Sequence, residues 1–344
     1  MSQPHRPDRD ASTTRVTIKD VADAAGVSVA TVSRVLSGSC SVSAELTKRV
    51  REAAERLNYS SNQVAASLRK AHTFSVGLIT SDSTNPYSVE VCRSAQLALA
   101  AEGYMAILCD AARSADREGK YLDILVGARV AGCILITPIG QATFFEKYSR
   151  RHRLPIVLVD SLRSAVLDSV RVDNYAGTLH AVAHLASRGY QRIAVVAGRQ
   201  SSLAGFERLD AFRRAVAMYH LECPESYVRI GSFSEETGYY AALELLRLDP
   251  RPQAIFACNN TIGIGVFRAL KSEKVQIPAE MALLIFDDVI LADMCEPPLS
   301  VVAQPVAEIG KTAAQLLLAR LRGDSTYEAR EVVLPPRLIV RGSV

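Results

Sequence analysis

At 344 residues, 49% apolar and 22% charged, with a net charge of +4, the chain exceeds one ordinary domain and has the balance of a globular protein. No apolar run approaches the roughly 18 residues of a membrane span, so no membrane partner is expected. Seven scattered cysteines, an odd number without a CxxC, argue against a disulfide framework or a zinc site and fit a reducing cytoplasm.

Residues 1–15 open with MSQPHRPDRDAS, a polar, proline-containing arm without the apolar core of a secretion signal. Residues 16–60 then read as three short helices. IKDVADAAGVSVATVSRVLS, Ile18 to Ser37, gives two of them across a tight turn, with Thr17 as the hydroxyl cap of the first. Ala22 is the small residue a close crossing needs, and Gly26 takes the turn where φ must be positive. Ile18, Val21, Val32 and Val35 supply the apolar contacts between the two. This is the helix-turn-helix pattern, whose second helix enters the DNA major groove. Ser43 caps a third helix with Leu46, Val50, Ala53, Ala54 and Leu57 on one face, and Tyr59 closes the small core. Charge agrees: residues 1–70 hold 11 Lys and Arg against 7 Asp and Glu, whereas the other 274 residues hold 29 of each. The excess lies where phosphate contacts are needed.

Residues 61–73 form a linker in which VAASL is too short a helix to persist alone in water. A hinge that becomes helical on DNA is the sharper expectation, a plain linker the simpler one. From residue 74 the texture changes to short apolar runs, each followed by an amphipathic helical pattern: VGLIT at 76–80, MAILC at 105–109, CILIT at 133–137, IVLVD at 156–160, IAVVA at 193–197, AIFAC at 254–258 and ALLIF at 282–286. Such alternation predicts parallel sheets covered on both faces, here as two lobes parted near Arg171 to Asn174. Ligands bind beyond the carboxyl ends of such strands. Those ends carry Ser81 and Asp82, Asp160, Asn259 and Asn260, Asp287 and Asp288, with Tyr87 opening a helix and Arg199 and Arg208 flanking another. Carboxylates, amides and guanidinium groups of this kind suit a hydroxyl-rich ligand. Each residue alone could equally be a helix cap.

Enzymatic readings fare poorly. Gly263 to Gly265 lacks the third glycine of a dinucleotide fingerprint, and no phosphate loop or GxSxG elbow occurs. His180 and His184, four apart on a helix, are better read as a solvated face than as metal ligands. No cofactor and no metal are expected. An exported solute receptor shares the two-lobed design, but the first 70 residues argue against it.

From about Val16 to Ser343 the chain resembles the LacI/GalR family of bacterial transcription regulators, through TIKDVADAAGVSVATVSRVLSG, LNYSSNQVAASLR, VDNYAG, GFERLDAF, FDD and PPLSVVAQPVAEIG. The resemblance implies an all-α helix-turn-helix domain (16–60), a hinge (61–73) and a periplasmic-binding-protein-like α/β effector domain (74–344). Its N-lobe would span about 74–173 and 304–333, its C-lobe about 174–303 and 334–344. It further implies a cytoplasmic homodimer on a near-palindromic double-stranded operator, with a small effector switching DNA affinity, by default releasing the operator. The chain ends at RGSV without a leucine heptad, so a dimer rather than a tetramer is expected.

Carried over by position, Thr17, Ser28, Val29, Ala30, Thr31, Ser33 and Arg34 would face the major groove. Arg34 could pair with a guanine edge, while Val29 and Ala30 could read only apolar features. Asn62, Val64, Ala65, Leu68 and Arg69 would follow the minor groove, with Leu68 wedging open a central base step. For the effector the resemblance indicates Ser81, Tyr87, Asp160, Arg208, Phe233, Asn259, Asp287 and Gln304, to which the strand-end pattern adds Arg199. Ser202 and Ala204 stand where a purine-binding member has Arg and Thr, which argues against a purine. Two departures stand out: Asn260 where the family usually has Asp, and Ile285 where it usually has Gly. Loss of a carboxylate beside Arg199 and Arg208 makes the cleft more basic, so a sugar acid or sugar phosphate is expected rather than a neutral sugar.

Overall fold

The computed structural model describes residues 16–37, 42–59, 73–137, 142–161, 164–288, 292–323 and 328–344. The expected arm and all of the expected hinge except Thr73 lie outside these residues. Two compact units divide the chain after Thr73.

In the first unit α1 (Ile18–Ala25), α2 (Val29–Ser37) and α3 (Ala44–Arg56) pack around buried Val21, Val32 and Val50, with Ala22, Ala25, Ala53 and Ala54 at the crossings. Helix α1 starts on a capping box: the Asp20 amide donates to the Thr17 hydroxyl at 3.4 Å, and the Thr17 amide donates to the Asp20 carboxylate at 2.7 Å. It ends at Gly26, φ +62°, where a Cβ would lie 2.9 Å from Arg49 Nη2. That guanidinium donates to the Ala25 carbonyl at 2.7 Å, so α3 places a positive charge on the C-terminus of α1. Ser43 caps α3 by accepting from the Leu46 amide.

The second unit contains two six-stranded sheets. The N-lobe sheet comprises β1 (Ser75–Thr80), β2 (Met105–Asp110), β3 (Gly132–Ile136), β4 (Ile156–Val159), β5 (Asp168–Val172) and β11 (Glu331–Leu334), all parallel, in the order β11-β5-β4-β3-β1-β2. Helices α4 (Pro86–Ala101) and α11 (Val306–Leu321) cover one face, α5 (Ala115–Gly127) and α6 (Ala142–His152) the other. The C-lobe sheet comprises β6 (Ile193–Ala197), β7 (Val228–Ile230), β8 (Ala254–Ala257), β9 (Ala282–Phe286), β10 (Ser300–Ala303) and an antiparallel edge strand β12 (Arg337–Ile339), in the order β12-β10-β9-β8-β6-β7. Helices α7 (Asn174–Ser187) and α8 (Leu203–Met218) pack on its Val195 and Ala197 face. Helices α9 (Glu235–Leu246) and α10 (Asn260–Ser272) pack on its Ala194 and Val196 face. Burial on both faces is why the central strands read as unbroken apolar runs.

The chain passes between lobes after β5, after β10 and after β11. Two boundary expectations need correction. Arg171 and Val172 belong to β5 rather than to a separating stretch, and Asp173 caps the helix that enters the C-lobe. Leu334, expected at the start of the final C-lobe segment, pairs with Val172 and closes β11 in the N-lobe.

Candidate functional site

Ser28 caps α2 by accepting from the Thr31 amide at 3.2 Å, and its hydroxyl lies 2.9 Å from that of Thr31. Val32 and Val35 turn into the core, which leaves Val29, Ala30 and Arg34 exposed and Thr31 and Ser33 partly exposed on the outer face. Thr17 is exposed too, with its hydroxyl donating to Asp20 at 2.7 Å. The seven expected major-groove residues thus lie on α2 and on the caps of α1 and α2. Val29 and Leu36 are apolar and each 36% exposed. Asn62, Val64, Ala65, Leu68 and Arg69 lie outside the described residues.

In the second unit a cavity of about 100 Å³ lies between the lobes. All nine expected effector residues line it. Ser81, Tyr87 and Asp160 come from the N-lobe; Arg199, Arg208, Phe233, Asn259 and Asp287 come from the C-lobe; Gln304 sits on a crossover between them. The parallel sheets deliver these side chains because both present their carboxyl ends to the cleft. Asp160 and Asp287 each leave their strand through a left-handed residue, φ +53° and +75°. Phe233 rests on the backbone of Gly198, where a Cβ would come within 2.1 Å of its ring.

Arg208, 4% exposed, is the most constrained group. Its Nε donates to Asn174 at 2.8 Å, its Nη1 donates to the Cys258 carbonyl at 2.7 Å and lies 3.6 Å from Asp287, and its plane covers Phe286 at 3.6 Å. Such a buried cation persists only with this degree of pairing. Asp287 also accepts from Gln304 Nε2 at 2.5 Å, whereas Gln304 Oε1 is buried without a hydrogen-bond partner among the described residues. That acceptor suits a donor hydroxyl. Tyr87 donates its hydroxyl to Asp160. Burial pushes the Asp160 carboxyl up to about 6, against the Tyr87 hydrogen bond and the Arg208 charge. Burial, with Asp160 next, also raises the Tyr87 phenol well above its usual value, so it remains a donor.

The lining charges balance: Asp82, Asp160 and Asp287 against Arg113, Arg199 and Arg208. Arg113 is matched by Asp82 at 2.5 Å and Arg208 by Asp287. Of the two arginines behind the expectation of a basic cleft, only Arg199 makes no side-chain hydrogen bond or ion pair among the described residues. The Ile285 departure has a steric counterpart: its side chain fills the space beside Gly263, where a Cβ would lie 2.4 Å from Ile285 Cγ2.

The expected set omits Asp82, Asn85, Ser88, Arg113, Ile136, Ser202 and Ala204, which also line the cavity. Asp82 and Arg113 follow β1 and β2, so the strand-end rule reaches both. Asn85 reads in sequence as nothing more than a cap before Pro86. No group of three or more His, Cys, Asp or Glu able to hold a metal occurs among the described residues.

Residues 17–62 match the family described as bacterial regulatory proteins, lacI family, and residues 182–344 match the periplasmic binding protein-like domain. The chain is 32% identical over 328 residues to the ribose operon repressor of Escherichia coli (strain K12), covering 95% of this chain and 99% of that protein. It is 31% identical over 329 residues to the transcriptional repressor PurR of Vibrio cholerae serotype O1 (strain M66-2), covering 95% and 98%. A crystal structure of the lac repressor dimer bound to operator and the anti-inducer ONPF superposes with a TM-score of 0.87 at 25% identity, covering 96% of this chain and 99% of that one.

Proposed function

The chain belongs to the LacI family of bacterial regulatory proteins, and from that premise we propose that it is a homodimeric, effector-switched repressor whose effector is a sugar acid or sugar phosphate. The lacI-family match at residues 17–62 sets aside a plain solute receptor, and the named relatives are repressors rather than enzymes. No helix among the described residues is long and apolar enough to cross a membrane. Regulation of DNA would place its work in the bacterial cytoplasm.

The observation that carries the effector class is Arg199, the one lining guanidinium without a carboxylate partner among the described residues, Arg113 and Arg208 being paired with Asp82 and Asp287. In this reading Arg199 takes the carboxylate or phosphate. Asp160, Asp287, Asn259 and the orphan oxygen of Gln304 take hydroxyls, Arg208 accompanies Asp287, and Phe233 covers an apolar face of the sugar. Ser81 and Tyr87 complete the N-lobe side.

A ligand held by both lobes favours the arrangement in which both sets of contacts are made, and its differential affinity is the whole driving force. In this reading that arrangement, and not any contact of the effector with DNA, sets the operator affinity. Effector-induced release is the direction proposed.

A thermal-shift screen of neutral sugars, sugar acids, sugar phosphates and nucleosides tests the class. Acids or phosphates should raise Tm above their neutral parents, and Arg199→Ala should remove that difference. Equal binding of neutral sugars and their acids would contradict it.

A further inference from the structure

Asn85 precedes α4 in the N-lobe and Asn260 opens α10 in the C-lobe; the Asn260 amide donates to Asn85 Oδ1 at 3.0 Å across the cleft. Neither group has freedom to turn. Asn85 Oδ1 also accepts from the Tyr87 amide at 3.0 Å, as the N-cap of α4. Asn259 Oδ1 accepts from the Ile262 amide at 2.9 Å, as the N-cap of α10, which leaves its Nδ2 to donate to Asn260 Oδ1 at 2.9 Å. Asn260 Oδ1 additionally accepts from the Thr261 amide at 2.8 Å. The two helix caps therefore dictate the polarity of all three amides, and Asn260, 1% exposed, must present its N–H groups to Asn85.

A carboxylate at 260, the residue the family resemblance leads one to expect, would set an acceptor against the Asn85 acceptor. Asn85 could answer only by turning over and giving up the cap of α4. Position 260 thus requires an amide for this contact to exist.

We propose that Asn260 is a positioning residue that clasps Asn85 to hold the two lobes together across the cleft and, through the same amide, fixes the orientation of Asn259. The effector then meets a cavity already near its bound shape, and less ordering opposes its binding. This last consequence rests on the cavity being the effector site; the clasp does not.

Hydrogen–deuterium exchange on the full chain without any ligand tests the clasp separately from effector class. Asn260→Ala and the near-isosteric Asn260→Asp should both speed exchange across residues 84–92, in the lobe opposite the substitution, by roughly three- to tenfold, the scale of one net hydrogen bond. Strand β6 should keep its protection, reporting an intact C-lobe. Asn85→Asp retains both the helix cap and the acceptor, so it should exchange like the parent. Parental exchange over 84–92 in Asn260→Asp would overturn the clasp, as would faster exchange there in Asn85→Asp.

Discussion

Asp160 is the cleft carboxyl from which a pH dependence of effector binding is expected. Its folded-state pKa, raised to about 6, lies above the ordinary 3.8, so the fold is favoured below the unfolded value and that contribution disappears as pH rises through 6. Ionised Asp160 is also the form that accepts a ligand hydroxyl. An effector should therefore raise Tm more at pH 7 than at pH 5, with the change centred near 6, and Asp160→Asn should flatten the profile. A profile of the same shape in Asp160→Asn would assign the effect elsewhere. At this scale the sequence was informative because strand ends identify themselves: an apolar run stops and a polar side chain follows, as at Asp160, Asn259 and Asp287. Pairing was not legible. Nothing in the order of residues reveals that Arg208 is spent on Asp287 and Asn174 while Arg199 is not.

Helices of the first unit stand on local signals, and these read directly from sequence. Thr17 with Asp20 forms the capping box, and Gly26 takes the left-handed turn. Gly26→Ala combines the left-handed penalty, about 1–2 kcal/mol, with a contact on Arg49, and should lower the stability of the N-terminal unit by at least that amount in denaturant unfolding. Five strands, β5, β7, β10, β11 and β12, are not among the apolar runs read from the sequence, each being short or interrupted by polar residues. β5 (DSVRV) and β11 (EVVL) carry polar residues because they hold an ion cluster and a crossover. Asp168, 1% exposed, accepts from Arg320 Nη2 at 2.7 Å and from the Arg330 amide and guanidinium, each at 2.8 Å, joining β5, β11 and α11. Asp168→Ala removes the buried carboxylate that accepts from two partly exposed arginines and should cost about 1.5–3 kcal/mol in chemical denaturation. A loss below 1 kcal/mol would mean that the cluster is not coupled to folding.

Across the whole molecule, two tasks sit in separate compact units, and their coupling is the substance of the proposed mechanism. The outer face of α2 offers one guanidinium, Arg34, beside small and apolar neighbours, and in the proposed reading operator choice therefore rests on two copies at a set spacing. Within the second unit, three crossovers and the Asn85–Asn260 contact join lobes that share one cavity. The most direct test is operator binding by fluorescence anisotropy, with and without a ligand that raises Tm. The mechanism predicts that such a ligand weakens operator affinity at least fivefold, a coupling of about 1 kcal/mol, and that Asp287→Ala abolishes both the Tm shift and the weakening. A ligand that raises Tm through this cavity yet leaves operator affinity unchanged would contradict it.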